Sequence, residues 1–265
     1  MPSLRYEELT WPQARQAASQ GRVLVLPVGT TEQHGPHLPL NVDCLTSTEL
    51  ARMGVERAPE DALLMPAISY SFNEHHLDFP GTIAVSWQSI IGYLQDVGRS
   101  AAHHGFRKIV LFNGHGSNVP FLDIAARLIT NHSEAIACLV SWWSLAEPAL
   151  SEVRASAFPG GMAHACEVET SLMLHLRPDL VDMSLAVKDI SFQPSEFIFW
   201  DLQRSSPVTF QEHFSRYSKT GIVGDPTVAT AEKGARVAEC VADNFARFLR
   251  EFRRREIGAR VNHHA

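Results

Sequence analysis

Val28-Gly29-Thr30-Thr31-Glu32-Gln33-His34-Gly35-Pro36-His37-Leu38-Pro39-Leu40-Asn41-Val42-Asp43 follows the apolar run Val23 to Leu26 after a single Pro27. That run reads as a buried strand. The stretch then sets a Glu, two His and an Asp in a loop stiffened by Pro36 and Pro39. Loops at strand ends are where reactive groups concentrate in folds built on parallel sheets. A rigid backbone is what a metal site needs, because its ligands must be in place before the ion arrives. Glu32 and His34 are two residues apart and share one side of an extended chain. His37 lies beyond Pro36 and is free to point elsewhere, and Asp43 can return to the same point from the far side of the loop. Carboxylate with imidazole is a donor set for zinc, manganese or iron.

Outward from this loop the pattern alternates between strand and helix. Cys44 to Ala58 reads as a helix closed by Pro59, and Leu63 to Ile68 as a second buried strand. Ser86 to His104 is an amphipathic helix with Ser86 at its N-cap and Gly105 at its end. Phe106 to Phe112 follows as a strand. Strand, helix, glycine and strand in that order is the parallel βαβ pattern. Val119 to Thr130 and Thr230 to Arg255 read as further helices and Ala135 to Val140 as another strand. The fold class is therefore α/β.

Further loops carry chemistry. Ser71 to Ile83 holds His75 and His76, and His76 is a candidate substrate contact or proton carrier. The strand 106–112 runs into Asn113-Gly114-His115-Gly116-Ser117-Asn118, where small residues let the backbone approach a ligand and His115 is placed as a metal ligand. The loop lacks the Lys of a phosphate-binding P-loop. Trp142 and Trp143 follow the 135–140 strand and are candidate substrate contacts. Gly160 to Ser171 is expected to open a helix running to about Leu176. On that helix His164, Glu167 and Ser171 share a face and Glu169 points away, so Glu167 is the expected ligand and Glu169 the fallback or a second-layer group.

The whole chain bounds the partners. It has 265 residues, a net charge of −6 and 13 His. No basic surface is implied, so neither nucleic acid nor anionic membrane is expected as a partner. Cys44, Cys138, Cys166 and Cys240 form no CxxC and read as free thiols of a cytoplasmic protein. No signal pattern or spanning apolar run is present. Candidate ligands spread from residue 32 to residue 169 argue for a single domain, 1–265.

Glu32, His34, Asp43, His115 and Glu167 exceed what one open catalytic zinc takes, and they suffice for two ions if Asp43 bridges them. Two ions sharing a water make a hydrolase site, with that bridging water as nucleophile. His164 is then the general acid/base that gives a proton to the leaving nitrogen. The alternative is a metal-binding protein of the same fold that acts through an interaction.

At this point the chain resembles the creatininase (creatinine amidohydrolase) family. The resemblance rests on Gly29-Thr-Thr-Glu-Gln-His-Gly-Pro-His-Leu-Pro-Leu with Asp43, His76-Leu-Asp-Phe-Pro-Gly-Thr, Asn113-Gly-His-Gly-Ser-Asn, His164-Ala-Cys-Glu-Val-Glu-Thr-Ser and Gly224-Asp-Pro-Thr. It covers residues 5 to 250. It implies a three-layer α/β/α fold with a mostly parallel central sheet, a metal-dependent amidohydrolase acting on non-peptide C–N bonds, and a homo-oligomer, often a hexamer. It implies two divalent ions per chain, zinc first with manganese or iron(II) as alternatives, and Glu32, His34, Asp43 and His115 as ligands. One departure stands out. Creatininase has a carboxylate two residues after the ligand His of the Asn-Gly-His motif, where this chain has Ser117, and a bulky residue where it has Gly116. Both changes point away from creatinine, towards a formamide or another cyclic amide as the small-molecule substrate. The runner-up is the mycofactocin-type peptidase of the same family. Gly116, Ser117, His76, Trp142 and Trp143 are the expected substrate contacts.

Overall fold

A computed structural model describes residues 3–264. After α1 (Trp11–Ser19), β1 (Val23–Val28) forms the centre of the sheet. It leads through the long loop into α2 (Val42–Glu56), then β2 (Ala62–Leu64), α3 (Trp87–His103) and β3 (Lys108–Asn113). The chain continues through α4 (Val119–Asn131), β4 (Ile136–Ser141), α5 (Ala149–Val153), β5 (Met162–His164), α6 (Glu167–Leu176), β6 (Val223–Gly224) and α7 (Ala231–Arg254). β2, β1, β3 and β4 lie side by side in that order and all pair in parallel. β5 and β6 form a separate antiparallel pair.

The sheet is covered on both faces, which is why β1 and β3 read as unbroken apolar runs rather than alternating ones. Period-2 geometry sends Val23, Val25, Val110 and Phe112 to one face and Leu24, Leu26, Ile109 and Leu111 to the other. The first set packs with Leu50 of α2, Leu172 of α6 and Val241 and Phe245 of α7. The second set packs with Ile90 and Leu94 of α3 and Leu122 and Ile129 of α4. The result is three layers, helix on sheet on helix, with the parallel sheet in the middle. Among the described residues no helix is long and apolar enough to cross a membrane.

Several expected boundaries move. The second strand is confined to Ala62–Leu64, where the continuous ladder with β1 ends, and a single parallel bridge between Val28 and Ile68 resumes the pairing further on. The larger change is at 160–176. Met162–His164 pairs as a strand with Val223 and Gly224, and the helix begins only at Glu167, with Cys166 as its N-cap. Ala165, between strand and helix, has φ +50, a left-handed conformation that costs a non-glycine residue about 1 kcal/mol or more.

The strand order positions the site. From β1 the chain goes outward to β2 on one side, then crosses to β3 on the other. Such a reversal leaves a crevice beyond the carboxyl ends of the two strands. The loop after β1 carries Glu32 and His34, and the loop after β3 carries His115.

Candidate metal centre

The crevice is narrow because two glycines line it. A β-carbon on Gly29 would lie 2.5 Å from the Cys44 backbone, and one on Gly114 would lie 2.3 Å from the Asp43 carbonyl oxygen. Only glycine lets the first turn of α2 sit directly on the ends of β1 and β3, and this brings Asp43 into the crevice. Gly114 N–H donates to the Val28 carbonyl at 2.9 Å and ties the two strand ends together.

Each imidazole is aimed by its neighbours. His34 Nδ1 lies 3.3 Å from the Glu32 carbonyl oxygen, so Nδ1–H donates there and Nε2, which offers a lone pair once the ring is neutral, faces inward, 3.2 Å from Asp43 Oδ1. The His115 loop is clamped by Asn113, whose Oδ1 accepts from His115 N–H at 3.0 Å and whose Nδ2 donates to the His115 carbonyl at 2.9 Å. His115 Nδ1 then lies 3.2 Å from Glu32 Oε1 and 3.1 Å from Asp43 Oδ2. Asp43 thus faces both imidazoles, one with each oxygen.

Three overlapping groups of donors come within 4.8 Å of one another: Glu32 with Asp43 and His115, His34 with His164 and Glu169, and Glu32 with His76 and His164. Glu32, His34 and Glu167 have no solvent exposure, and Asp43, His115 and Glu169 are also buried. Both Glu32 carboxylate oxygens, His34 Nε2, Asp43 Oδ2 and His115 Nε2 make no hydrogen bond. The close contacts among these side chains are ion-pair contacts of 3.1–3.2 Å. Buried polar atoms are normally paired, so a cluster of buried carboxylate oxygens and imidazole nitrogens left without hydrogen-bond partners is the arrangement a divalent cation satisfies. The donor set fits such an ion.

Titration behaviour points the same way. Burial opposes charge on His34 and His115, but the carboxylates of Asp43 and Glu32 outweigh it and raise the two imidazoles to about 9 and about 10. Burial pushes Glu32 up, and it pushes Glu169 up to about 7. Asp43 is held well below the usual carboxylate range by His34 and His115, against the effect of burial. The charge that the two imidazoles retain is the charge a metal ion would supply instead.

His164 sits at the edge of this cluster. Its ring lies 4.3 Å from that of His34, its Nδ1 is 3.7 Å from Glu32 Oε1, and its Nε2 is 2.9 Å from the Gln33 carbonyl oxygen. Burial, followed by the neighbouring charge on His34, keeps it neutral, well below the ordinary histidine value. His76 is likewise buried and held low, first by burial and then by His164. Phe214 stacks on His76 at 4.2 Å and meets the His164 ring edge-on at 4.8 Å.

Two sequence expectations are corrected, those for Glu167 and Trp142. Glu167 is not in the cluster: its carboxylate accepts from Lys233 Nζ at 2.5 Å and from the backbone N–H groups of Ala155 and Ser156. The later helix start turns Glu169, the fallback, inward in its place. Trp142 is 1% exposed and packs in the core with Phe112 and Phe245, because the turn after β4 folds under α7. Trp143 packs partly buried against the same core. Neither belongs to the donor cluster. His37, which the loop geometry left free, is bound away from the cluster, with Nε2 2.9 Å from Thr170 Oγ1. Ser117 Oγ lies 2.9 Å from His75 Nε2, and Gly116 borders open space.

The creatininase family, described as creatinine amidohydrolase, matches residues 7–249. The chain belongs to the creatininase family. It is 33% identical over 248 residues to the mycofactocin precursor peptide peptidase of Mycobacterium tuberculosis (strain CDC 1551 / Oshkosh), spanning 91% of this chain and 89% of that one. It is 32% identical over 259 residues to the creatinine amidohydrolase of Pseudomonas putida, spanning 92% and 95%. The crystal structure of creatinine amidohydrolase superimposes with a TM-score of 0.81 at 29% identity, covering 95% of this chain and 99% of the other. Two other solved creatininases are described as a manganese form and, in a mutant, a zinc–zinc type.

Within this creatininase-family chain, sequence reasoning missed two contacts of the site. Gln33 was passed over because an amide between two stronger ligand candidates carries no signal of its own. Phe214 was passed over because it comes from the irregular segment before β6, whose docking nothing local predicts.

Proposed function

We propose that this creatininase-family hydrolase holds two divalent ions and cleaves a non-peptide amide C–N bond, in a cyclic amide or a formamide. The observation that carries the reading is the set of buried, unpartnered atoms on Glu32, His34, Asp43 and His115, with the Glu169 carboxylate within 4.8 Å of the His34 donor. Glu32, Asp43 and His115 would hold one ion, and His34, Asp43 and Glu169 the other. Zinc leads, with manganese and iron(II) behind it, because imidazole and carboxylate suit all three. When bound, such a pair of ions lowers the pKa of water towards neutrality and polarises a carbonyl oxygen.

The chain's own residues supply the rest. His164 is neutral and fixed through Nε2, so its Nδ1 takes the proton from water and passes it to the leaving nitrogen. Phe214 covers His76 and His164 and excludes bulk water from that side. Ser117 adds no charge beside His115, and open space at Gly116 leaves room for a substrate edge.

A peptidase reading has one observation in its favour, the 33% identity to the mycofactocin precursor peptide peptidase. The family reading also brings with it a small-molecule amide as partner and a homo-oligomer, to be checked by light scattering.

The first test is metal content per chain by elemental analysis of protein purified without chelator, followed by a screen of cyclic amides, formamides and short peptides. About two ions and turnover of a cyclic amide or formamide support the proposal. Turnover of peptides alone moves the assignment to the peptidase. A protein that neither contains nor takes up metal overturns it.

A further inference from the structure

Gln33 is held from every side. Its backbone N–H donates to Thr82 Oγ1 at 3.2 Å, and its Oε1 accepts from Gly35 N–H at 2.9 Å. Gly221, at φ +78, comes so close that a β-carbon there would lie 2.0 Å from Oε1. The Gly35 N–H can only donate. The amide oxygen therefore occupies that end, and the NH₂ end is directed at the imidazoles.

That NH₂ group lies 3.0 Å from His76 Nδ1 and 3.1 Å from His164 Nε2. A hydrogen bond to His76 requires a lone pair on Nδ1, so the His76 proton sits on Nε2. His164 Nε2 has two neighbours on the same residue, the amide nitrogen and the Gln33 carbonyl oxygen at 2.9 Å. The carbonyl is the nearer and can only accept, so His164 carries its proton on Nε2, and the Gln33 NH₂ donates to His76 alone. Its Nδ1, 3.7 Å from Glu32 Oε1, then presents a lone pair to the cluster. His76 does the reverse: its protonated Nε2 is the nitrogen nearest the cluster, 3.9 Å from Glu32 Oε1.

We propose that Gln33 is a positioning residue that assigns opposite roles to the imidazoles of His76 and His164. Its side-chain amide makes His76 an N–H donor towards the substrate side, and its main-chain carbonyl makes His164 a lone-pair acceptor there. One residue between two candidate ligands thereby separates the hydrogen-bond donor from the proton acceptor. This division of labour rests on His164 being the proton carrier, but the tautomers themselves can be read without turnover.

The experiment is solid-state ¹⁵N NMR of the protein as purified, with labelled histidine, using His76→Asn and His164→Asn samples to assign the two rings. Both rings are expected to show a protonated Nε2 and an unprotonated Nδ1. The Gln33→Met variant keeps the length of the side chain and the main-chain carbonyl but removes the donor. In it His76 is expected to lose its single tautomer while His164 keeps its own, and kcat is expected to fall roughly 10- to 100-fold with KM within about twofold. A protonated Nδ1 on His76 in the wild-type protein, or a His76 spectrum unchanged in Gln33→Met, overturns the proposal. If the tautomers are as stated but His164→Ala turns over substrate normally, the hydrolytic role of His164 fails and the tautomer assignment stands.

Discussion

Glu167 and Glu169, two residues apart on α6, serve opposite sides of that helix. Glu167 accepts from Lys233 and from the backbone at 155–156, while Glu169 comes within 4.8 Å of His34 and His164 donor atoms. The two carboxylates should therefore fail in different ways. Glu169→Gln removes a charge from the cluster and is expected to lower metal content and activity together. Glu167→Gln breaks a buried ion pair and is expected to cost about 1–3 kcal/mol of stability while leaving metal content unchanged. Denaturant midpoints and elemental analysis on both variants check this. Metal lost from Glu167→Gln and retained by Glu169→Gln would reverse the assignment.

His115 and His164 should separate binding from chemistry. His115→Ala removes a nitrogen that faces both Glu32 and Asp43, and metal and activity are expected to disappear together. His164→Ala is expected to retain its metal and lose roughly 100-fold or more in kcat, the usual scale for a proton-transfer group. Metal analysis beside turnover of any substrate found in the screen measures both, and a fully active His164→Ala enzyme would sink the mechanism.

Metal uptake should release protons. In the metal-free protein His34 and His115 titrate at about 9 and about 10, so both are charged at pH 8 and must shed a proton to become ligands. About two protons per chain are expected to be released there. Calorimetry in buffers of different ionisation heat reads this directly, and an uptake heat independent of buffer would contradict it. The same groups set a stability slope. Their folded values are raised above the ordinary 6.5, so their contribution is complete below 6.5 and is lost as the pH climbs through about 9 and 10. Chelated protein should thus melt at falling temperature from pH 7 to 10, and metal-loaded protein should not follow it.

Gly114→Ala tests the crevice itself. The new β-carbon would meet the Asp43 carbonyl oxygen at 2.3 Å and Ser47 Cβ at 2.9 Å, forcing the start of α2 off the strand ends. An overpacking cost of about 1–3 kcal/mol is expected, with reduced metal content because Asp43 moves with the helix. Gly116→Ala, which meets nothing within 4 Å, is the control and should keep both stability and metal. Equal behaviour of the two variants would show that the close approach at Gly114 does not position Asp43.

Some of this was legible in the chain. β1 and β3 read as strands because a parallel sheet buried on both faces leaves a continuous apolar imprint. β2 is shorter than the apolar run because such a run does not record that the ladder breaks after Leu64 and returns only as one bridge at Ile68. Glu167 and Glu169 were interchanged because the start of α6 depends on β5 pairing with β6, a segment distant in sequence. Without that pairing, His164 and Glu167 fall on one helical face. With it, the left-handed Ala165 turns the helix so that Glu169 faces inward. Trp142 lies in the core for a similar reason, since α7 covers the end of β4, and Trp143 packs half-buried against it.

By itself the sequence determined the α/β class, the family and the chemistry of the donors in the loops after β1 and β3, since strand burial and ligand type are properties of short stretches. The tertiary structure alone decided which carboxylate of α6 joins them, that His76 and His164 lie side by side beneath Phe214, and that Gln33 reaches both, His76 through its amide and His164 through its main-chain carbonyl. Those are questions of direction, and a side chain's direction is set by packing between segments far apart in the chain, which no local pattern of residues encodes.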